Sequence, residues 1–184
     1  MRAGNAAYGA GLTQLMEGDV VGSHASFEQA AARWRESWEH ATPTSWGRPI
    51  GVIKALLLAS DEDGAREAAA WALTLGCVDA ESPIGRYAAT LALLVLGRWD
   101  DARHQAASIR ERDDFPHDVA DALALIAAHD VIGTIEAVES VVESFESRDE
   151  YLEDVAVADT ALVLQLLARI RGFEVELPRS PVLP

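Results

Sequence analysis

The chain has 184 residues, which is enough for one domain with a sizeable core. Thirty acidic residues against 15 basic ones give a formal net charge of -15 at pH 7. Such a surface repels nucleic acids and anionic membranes, so the composition excludes both as ligands and favours a basic partner, unless the acidity serves only to keep an alanine-rich protein soluble.

The segment 5–41 is predicted to form two helices separated by Gly18-Asp19. Gly11, Gly18, Phe27 and Ala30 have the spacing of a tetratricopeptide repeat, a helix-turn-helix unit of 34 residues. In that unit a small residue lets the helices approach, and an aromatic residue followed by alanine closes the contact. The first two helices are therefore predicted to form a tetratricopeptide-like pair.

An aromatic stripe runs along the second helix of this pair. Phe27, Trp34 and Trp38 recur at helical spacing. We expect all three to be packed inside the protein.

A tripeptide is repeated in the next part of the chain. The tripeptide Pro49-Ile50-Gly51 recurs as Pro83-Ile84-Gly85, which is 34 residues later and matches the repeat length. Glycine and proline residues separate the remaining predicted helices, at 50–59, 65–75, 84–96, 99–112, 118–128, 132–146 and 155–170. The last helix is apolar on most of its circumference and is predicted to be buried.

The sequence thus predicts an all-α fold, a tetratricopeptide-like stack of antiparallel helix pairs with about nine helices. A single helical repeat domain is expected over residues 1–184. Within it, residues 173–184 contain three prolines and are predicted to form an extended tail.

Residues suited to catalysis or metal binding form no recognisable pattern. The five histidines make no helical pair, and neither a phosphate-binding loop nor a serine nucleophile motif is present. The single cysteine, Cys77, cannot form an internal disulfide, and Asp79 and Glu81 nearby disfavour a reactive thiolate. We expect no metal, no cofactor and no enzymatic activity.

Neither a secretion signal nor a membrane span is predicted. The longest apolar stretch, 88–96, is far shorter than the roughly 20 residues that a membrane span requires. We therefore expect a cytoplasmic protein.

Trp46 lies in the connection between Pro43 and Pro49, outside the predicted helices. A large aromatic side chain in such a place either fills the seam between repeats or anchors a partner. The sequence leaves both interpretations open, so Trp46 is a candidate partner-binding residue.

The strongest local charge lies in the segment 139–154, which we call the acidic segment. Its carboxylates are opposed only by Arg148; they belong to Glu139, Glu143, Glu146, Asp149, Glu150, Glu153 and Asp154. The first three share one helical face by their spacing, and like charges so placed are mildly unfavourable in a helix. These seven residues are candidates for binding a partner, although a simple solvated face explains them as well.

Four segments resemble the immunity protein 49 family of bacterial polymorphic toxin systems. They are Lys54-Ala55-Leu56-Leu57-Leu58-Ala59, Arg112-Asp113-Asp114-Phe115-Pro116, Asp159-Thr160-Ala161-Leu162 and Ser180-Pro181-Val182-Leu183-Pro184. The resemblance covers about three quarters of the chain, from near Trp46 onward. It implies an all-α protein that protects its producer by binding a cognate toxin, and it transfers no functional residue.

The leading hypothesis is therefore an immunity protein that neutralises a cognate toxin, or binds another basic protein, by surface complementarity. The main alternative is a tetratricopeptide-like adaptor or regulatory module that holds a host protein or peptide in its groove. A third class, an enzyme with a cryptic helical active site, has the least support in the sequence.

Overall fold

The computed structural model describes residues 1–184 and confirms an all-α fold with nine helices and no strand. The helices are α1 Arg2–Met16, α2 Val20–Trp38, α3 Gly47–Leu58, α4 Glu62–Thr74, α5 Pro83–Val95, α6 Trp99–Arg110, α7 His117–Ala128, α8 Val131–Glu146 and α9 Asp159–Arg171. Short 3₁₀ turns cover Cys77–Asp79 and Leu152–Asp154. Each helix packs against the next along the chain, as expected of a helical stack.

Four helices begin with the same type of N-cap hydrogen bond. An oxygen of the N-cap side chain accepts a hydrogen bond from the backbone N–H of a glycine three residues later, in the pairs Asp19 and Gly22, Asp61 and Gly64, Ser82 and Gly85, and Asp130 and Gly133. Because Asp61 is such a cap, α4 begins at Glu62. The helix predicted over residues 65–75 therefore begins three residues earlier than expected.

The two Pro-Ile-Gly copies lie in the first turns of α3 and α5, where each glycine packs against the indole ring of a tryptophan. A β carbon built on Gly51 would lie 2.6 Å from the ring of Trp34, and one built on Gly85 would lie 2.8 Å from Nε1 of Trp46. Any larger residue would push the indole away. The repeated tripeptide therefore corresponds to a repeated packing site, in which the start of a helix contacts a tryptophan from earlier in the chain.

The aromatic stripe on α2 is buried at only two of its three positions. Phe27 is fully buried against Gly11, and Trp34 is 5% exposed. Trp38 is half-buried and contacts Trp46 in a tilted arrangement and Trp71 edge to face, with ring centroids 6.0 Å apart in both pairs. The prediction was wrong for Trp38 because α2 nears its end there and passes the edge of the core.

The final helix packs across the stack. Besides α8, α9 contacts α3, α5 and α7, so it covers the face that these three alternate helices share. The prediction that this helix is buried is confirmed, since six of its 13 residues are buried. It starts at Asp159 and not at Val155, because the N–H of Ala158 donates to the carbonyl of Val182 in the tail, at 2.8 Å.

Residues 173–184 form no helix and lie along the core. Val175, Val182 and Leu183 are buried, and the Gln165 side chain of α9 donates to the carbonyl of Val175 at 2.7 Å. The tail is thereby fixed against α9. None of the nine helices combines the length and apolar character needed to cross a membrane.

Candidate functional site

A buried ion pair joins three distant parts of the chain. Asp159, the first residue of α9, lies with its Oδ2 atom 2.6 Å from Nζ of Lys54 on α3. The hydroxyl of Tyr8 on α1 donates to the same carboxylate oxygen at 2.7 Å. Lys54 also donates to the hydroxyl of Thr160 at 3.1 Å. The cluster therefore fixes the start of α9 to α1 and α3.

This cluster forms part of the wall of a cavity of about 190 Å³, which we call the small hollow. Its other walls come mainly from α1, α2, α3 and the turn at Leu152, through the side chains of Asn5, Trp34, Ile50 and Leu152. The side chains of Lys54 and Asp159 are 12% and 14% exposed. The ion pair is thus nearly buried, yet it borders a space that can hold other atoms.

The charges in the cluster stabilise one another. Burial alone would raise the pKa of Asp159, but the Lys54 ammonium and the hydrogen bonds from Lys54 and Tyr8 lower it below its usual value. Burial would lower the pKa of Lys54, and the attraction of Asp159 raises it instead. Burial, followed by the charge of Asp159, raises the pKa of Tyr8. At neutral pH the cluster therefore holds an ammonium, a carboxylate and a neutral phenol.

These shifts predict a loss of stability in acid. The stabilisation from Asp159 is present above its unfolded-state pKa, about 3.9, and is lost as the pH falls through the lower pKa of the folded protein. The raised pKa values of Lys54 and Tyr8 act only at alkaline pH. We expect the wild type to lose unfolding free energy below about pH 4 relative to the triple variant Tyr8→Phe, Lys54→Met, Asp159→Leu, as measured by urea denaturation between pH 7 and 3. A difference that is independent of pH would contradict this assignment.

Of the two interpretations of Trp46, the structure favours the seam. The side chain is 7% exposed and lies in a small apolar cluster with Cys77, Ala88 and Ala89, between the α2–α3 connection and α5. A side chain buried to this extent offers a partner little area. Trp46 therefore fills the seam, and its role as a partner anchor stays a prediction.

The α2–α3 connection does border a second cavity, of about 910 Å³, which we call the large hollow. Arg48, Asp79, Glu81 and Ile84 contribute to its lining. Met1 and Gly47 line both hollows, so the two are adjacent.

All seven candidate carboxylates of the acidic segment are exposed. The structure brings a second arginine to them, because Arg179 of the tail lines a hollow of about 210 Å³ together with Glu139, Glu143 and Glu146. The hydroxyl of Ser180 donates to Glu146 at 2.6 Å. Arg148 is the only basic residue within the acidic segment, and the tail brings Arg179 close to it from outside the segment.

The far end of the acidic segment reaches the small hollow. Leu152 lines that hollow, and the next residue, Glu153, packs on α1, where a β carbon built on Gly9 would lie 2.9 Å from Cβ of Glu153. The acidic segment thus extends from α8 to the turn at Leu152, which lines the small hollow together with the ion pair.

Cys77 is buried, and its thiol donates to the carbonyl of Ala72 at 3.2 Å. Burial raises the pKa of this thiol to about 11, so it is protonated at neutral pH. No group of three or more His, Cys, Asp or Glu side chains is placed to hold a metal ion.

Sequence reasoning missed Lys54, Asp159 and Tyr8. One signal was available, because Lys54 is the only lysine in a chain that otherwise uses arginine. Lys54 and Asp159 also begin two of the four segments that carry the family resemblance, and the structure places these two first residues in contact. A spacing of more than a hundred residues gave no sign of that contact.

Comparison of the chain with protein families, with curated proteins and with solved structures finds no match.

Proposed function

We propose that the protein is an immunity protein that binds and neutralises a cognate protein toxin by surface complementarity. The observation that carries the proposal is the acidic segment, whose seven candidate carboxylates are all exposed. The resemblance to the immunity protein 49 family supports the same function.

The charge of the protein suits this role. A net charge of -15 attracts a basic partner over several ångströms and accelerates their encounter. Toxins that act on nucleic acids have basic clefts, so an acidic inhibitor competes for the surface that binds the phosphates. Attraction between exposed charges is screened beyond about 10 Å at 0.1 M salt, and its main effect is on the association rate.

The adaptor alternative has less support. A peptide held on the face shared by α3, α5 and α7 would have to displace α9, which covers that face. Asp159 would then lose both Lys54 and Tyr8, leaving its carboxylate without the partners that compensate its burial.

The experiment requires a candidate toxin, which is sought as the variable C-terminal domain of a large secreted protein encoded by a neighbouring gene. Co-expression of the wild-type chain with that domain is expected to restore growth, and the purified pair is expected to form a complex. The variant Glu139→Gln, Glu143→Gln, Glu150→Gln removes three exposed charges and leaves Glu146 bonded to Ser180. It should associate about tenfold more slowly at low salt and show a weaker salt dependence, with a nearly unchanged dissociation rate.

The matched control is Glu17→Gln, Glu28→Gln, Glu111→Gln. These three residues are exposed, make no side-chain ion pair and lie outside the acidic segment, so the change in net charge is the same. The control should retain most of the association rate. Equal slowing in both variants would assign the effect to net charge alone, and failure of the wild type to restore growth or bind the toxin would contradict the proposed function.

A further inference from the structure

The small hollow has the size of one aromatic side chain. Its volume of about 190 Å³ exceeds the roughly 150 Å³ of an engineered apolar cavity that binds benzene. Tyr8, Trp34, Ile50 and Leu152 give it mainly aromatic and aliphatic walls. A flat ring would therefore find apolar contacts on several sides.

The polar wall of the hollow has hydrogen-bonding capacity to spare. The Lys54 ammonium has three protons and makes two hydrogen bonds, to Asp159 and Thr160. Oδ1 of Asp159 accepts a hydrogen bond from the Thr160 hydroxyl only at a long distance, 3.4 Å. The side-chain oxygen of Asn5 accepts from Nε1 of Trp34 at 3.1 Å, and the amide N–H groups of Asn5 have no hydrogen-bond partner. Both donors and acceptors are thus available, which suits a neutral hydroxyl better than an ion.

The protein surface around the small hollow also carries exposed apolar side chains. Eight large hydrophobic side chains of the protein are exposed, and three of them line the two adjacent hollows: Met1 at 60%, Ile84 at 44% and Leu152 at 45%. Such a cluster of exposed apolar residues around a concave surface is typical of a protein-binding site.

The charges around the two hollows are complementary to a basic partner. Asp79 and Glu81 line the large hollow, and Glu153 and Asp154 follow Leu152 at the small one. Lys54 is paired with Asp159, whereas Arg48 donates only to the neutral hydroxyl of Ser37, at 2.9 Å. The four carboxylates outnumber this one guanidinium without an acidic partner, so the balance of charge is negative.

We infer that the small hollow receives an aromatic side chain with a phenolic hydroxyl, a tyrosine, presented by a basic segment of the partner protein that lies over the large hollow. The ring packs between Trp34, Ile50 and Leu152, and the hydroxyl bonds to the Lys54 and Asp159 pair. The identity of the partner in this inference rests on the proposed function. The preference of the hollow for a phenolic side chain can be tested without knowing the partner.

The first test uses p-cresol, the side-chain analogue of tyrosine, and toluene, which has the same ring without the hydroxyl. In two-dimensional ¹⁵N–¹H spectra of the wild type, p-cresol should shift signals of residues that line the small hollow, with an affinity at least about fivefold higher than that of toluene, because a paired hydroxyl contributes about 1 kcal/mol. Shifts elsewhere, or no shifts at millimolar p-cresol, would overturn the inference. Equal binding of the two probes would overturn its phenolic part and leave an apolar anchor.

Two variants locate the site. Leu152→Trp places a larger side chain at the mouth of the hollow and should abolish p-cresol binding, whereas Ile132→Trp, a change at a residue 73% exposed on α8 and outside both hollows, should leave it unchanged. The triple variant Tyr8→Phe, Lys54→Met, Asp159→Leu should bind p-cresol and toluene equally. Persistence of the preference in that variant would contradict the role of the ion pair.

Measurements on the complex with the toxin distinguish a failure of this inference from a failure of the proposed function. With the toxin complex, Leu152→Trp should increase the dissociation rate at least about tenfold, as expected for loss of a central anchor, and Ile132→Trp should not. If the wild type binds the toxin and Leu152→Trp dissociates no faster, the hollow is not part of the interface. If the wild type binds no toxin at all, the proposed function fails, and the p-cresol result still decides the specificity of the hollow.

Discussion

Replacing Lys54 by methionine is expected to reduce the unfolding free energy by about 3–5 kcal/mol, because it leaves the Asp159 carboxylate nearly buried without its cation. A typical domain is stable by only about 5–15 kcal/mol, so this single change removes a large part of the total. Urea denaturation at pH 7 measures the effect directly.

The triple variant Tyr8→Phe, Lys54→Met, Asp159→Leu is the control for this prediction. It removes the charges and the phenol together and fills their space with apolar groups of similar size, and buried ion pairs replaced in this way often cost nothing. We expect the triple variant to be at least about 2 kcal/mol more stable than Lys54→Met. If the two are equally unstable, the loss comes from packing around Lys54 and not from the unpaired carboxylate.

Replacing Trp34 by alanine is expected to cost a similar amount, about 3–5 kcal/mol, through the cavity it leaves. The indole is 5% exposed and lies between α1 and α3, where β carbons built on Gly4 and Gly51 would each lie 2.6 Å from its ring. Its Nε1 also donates to Asn5. Thermal melting followed by circular dichroism is the measurement.

Trp38→Ala is the matched variant, since it removes the same side chain from the same helix. Trp38 is half-buried, so less apolar surface is lost and the decrease in melting temperature should be clearly smaller. Equal decreases would mean that the glycine contacts of Trp34 contribute little beyond ordinary surface burial.

Helix number and order were predictable from the sequence because glycine, proline and cap residues act locally. Asp61 shows the limit of that reasoning. It is a cap when its side chain bonds to Gly64 and a turn residue otherwise, so the start of α4 was misplaced by one turn. The start of α9 was misplaced for a different reason, since Ala158 bonds to Val182, a partner 24 residues away.

The candidate site likewise has one part that was predictable from the sequence and one part that was not. The acidic segment is contiguous in the chain, and its exposure follows from its own composition. The pairing of Lys54 with Asp159 depends on how α9 crosses α3, and no periodicity within either helix encodes that crossing. Arg179 and Ser180 near α8 are a further case, because a tail without regular structure gives no pattern from which its path follows.

The position of α9 also has a consequence for how the protein unfolds. In a linear array each unit contacts only its neighbours, so the ends can melt while the middle persists. Here one helix near the end of the chain contacts α3, α5, α7 and α8 at once, and its first residue is bonded to α1. Opening either end of the array therefore breaks contacts in its middle. This coupling favours unfolding in one cooperative transition, and during synthesis it delays completion of the core until residues 159–171 have left the ribosome.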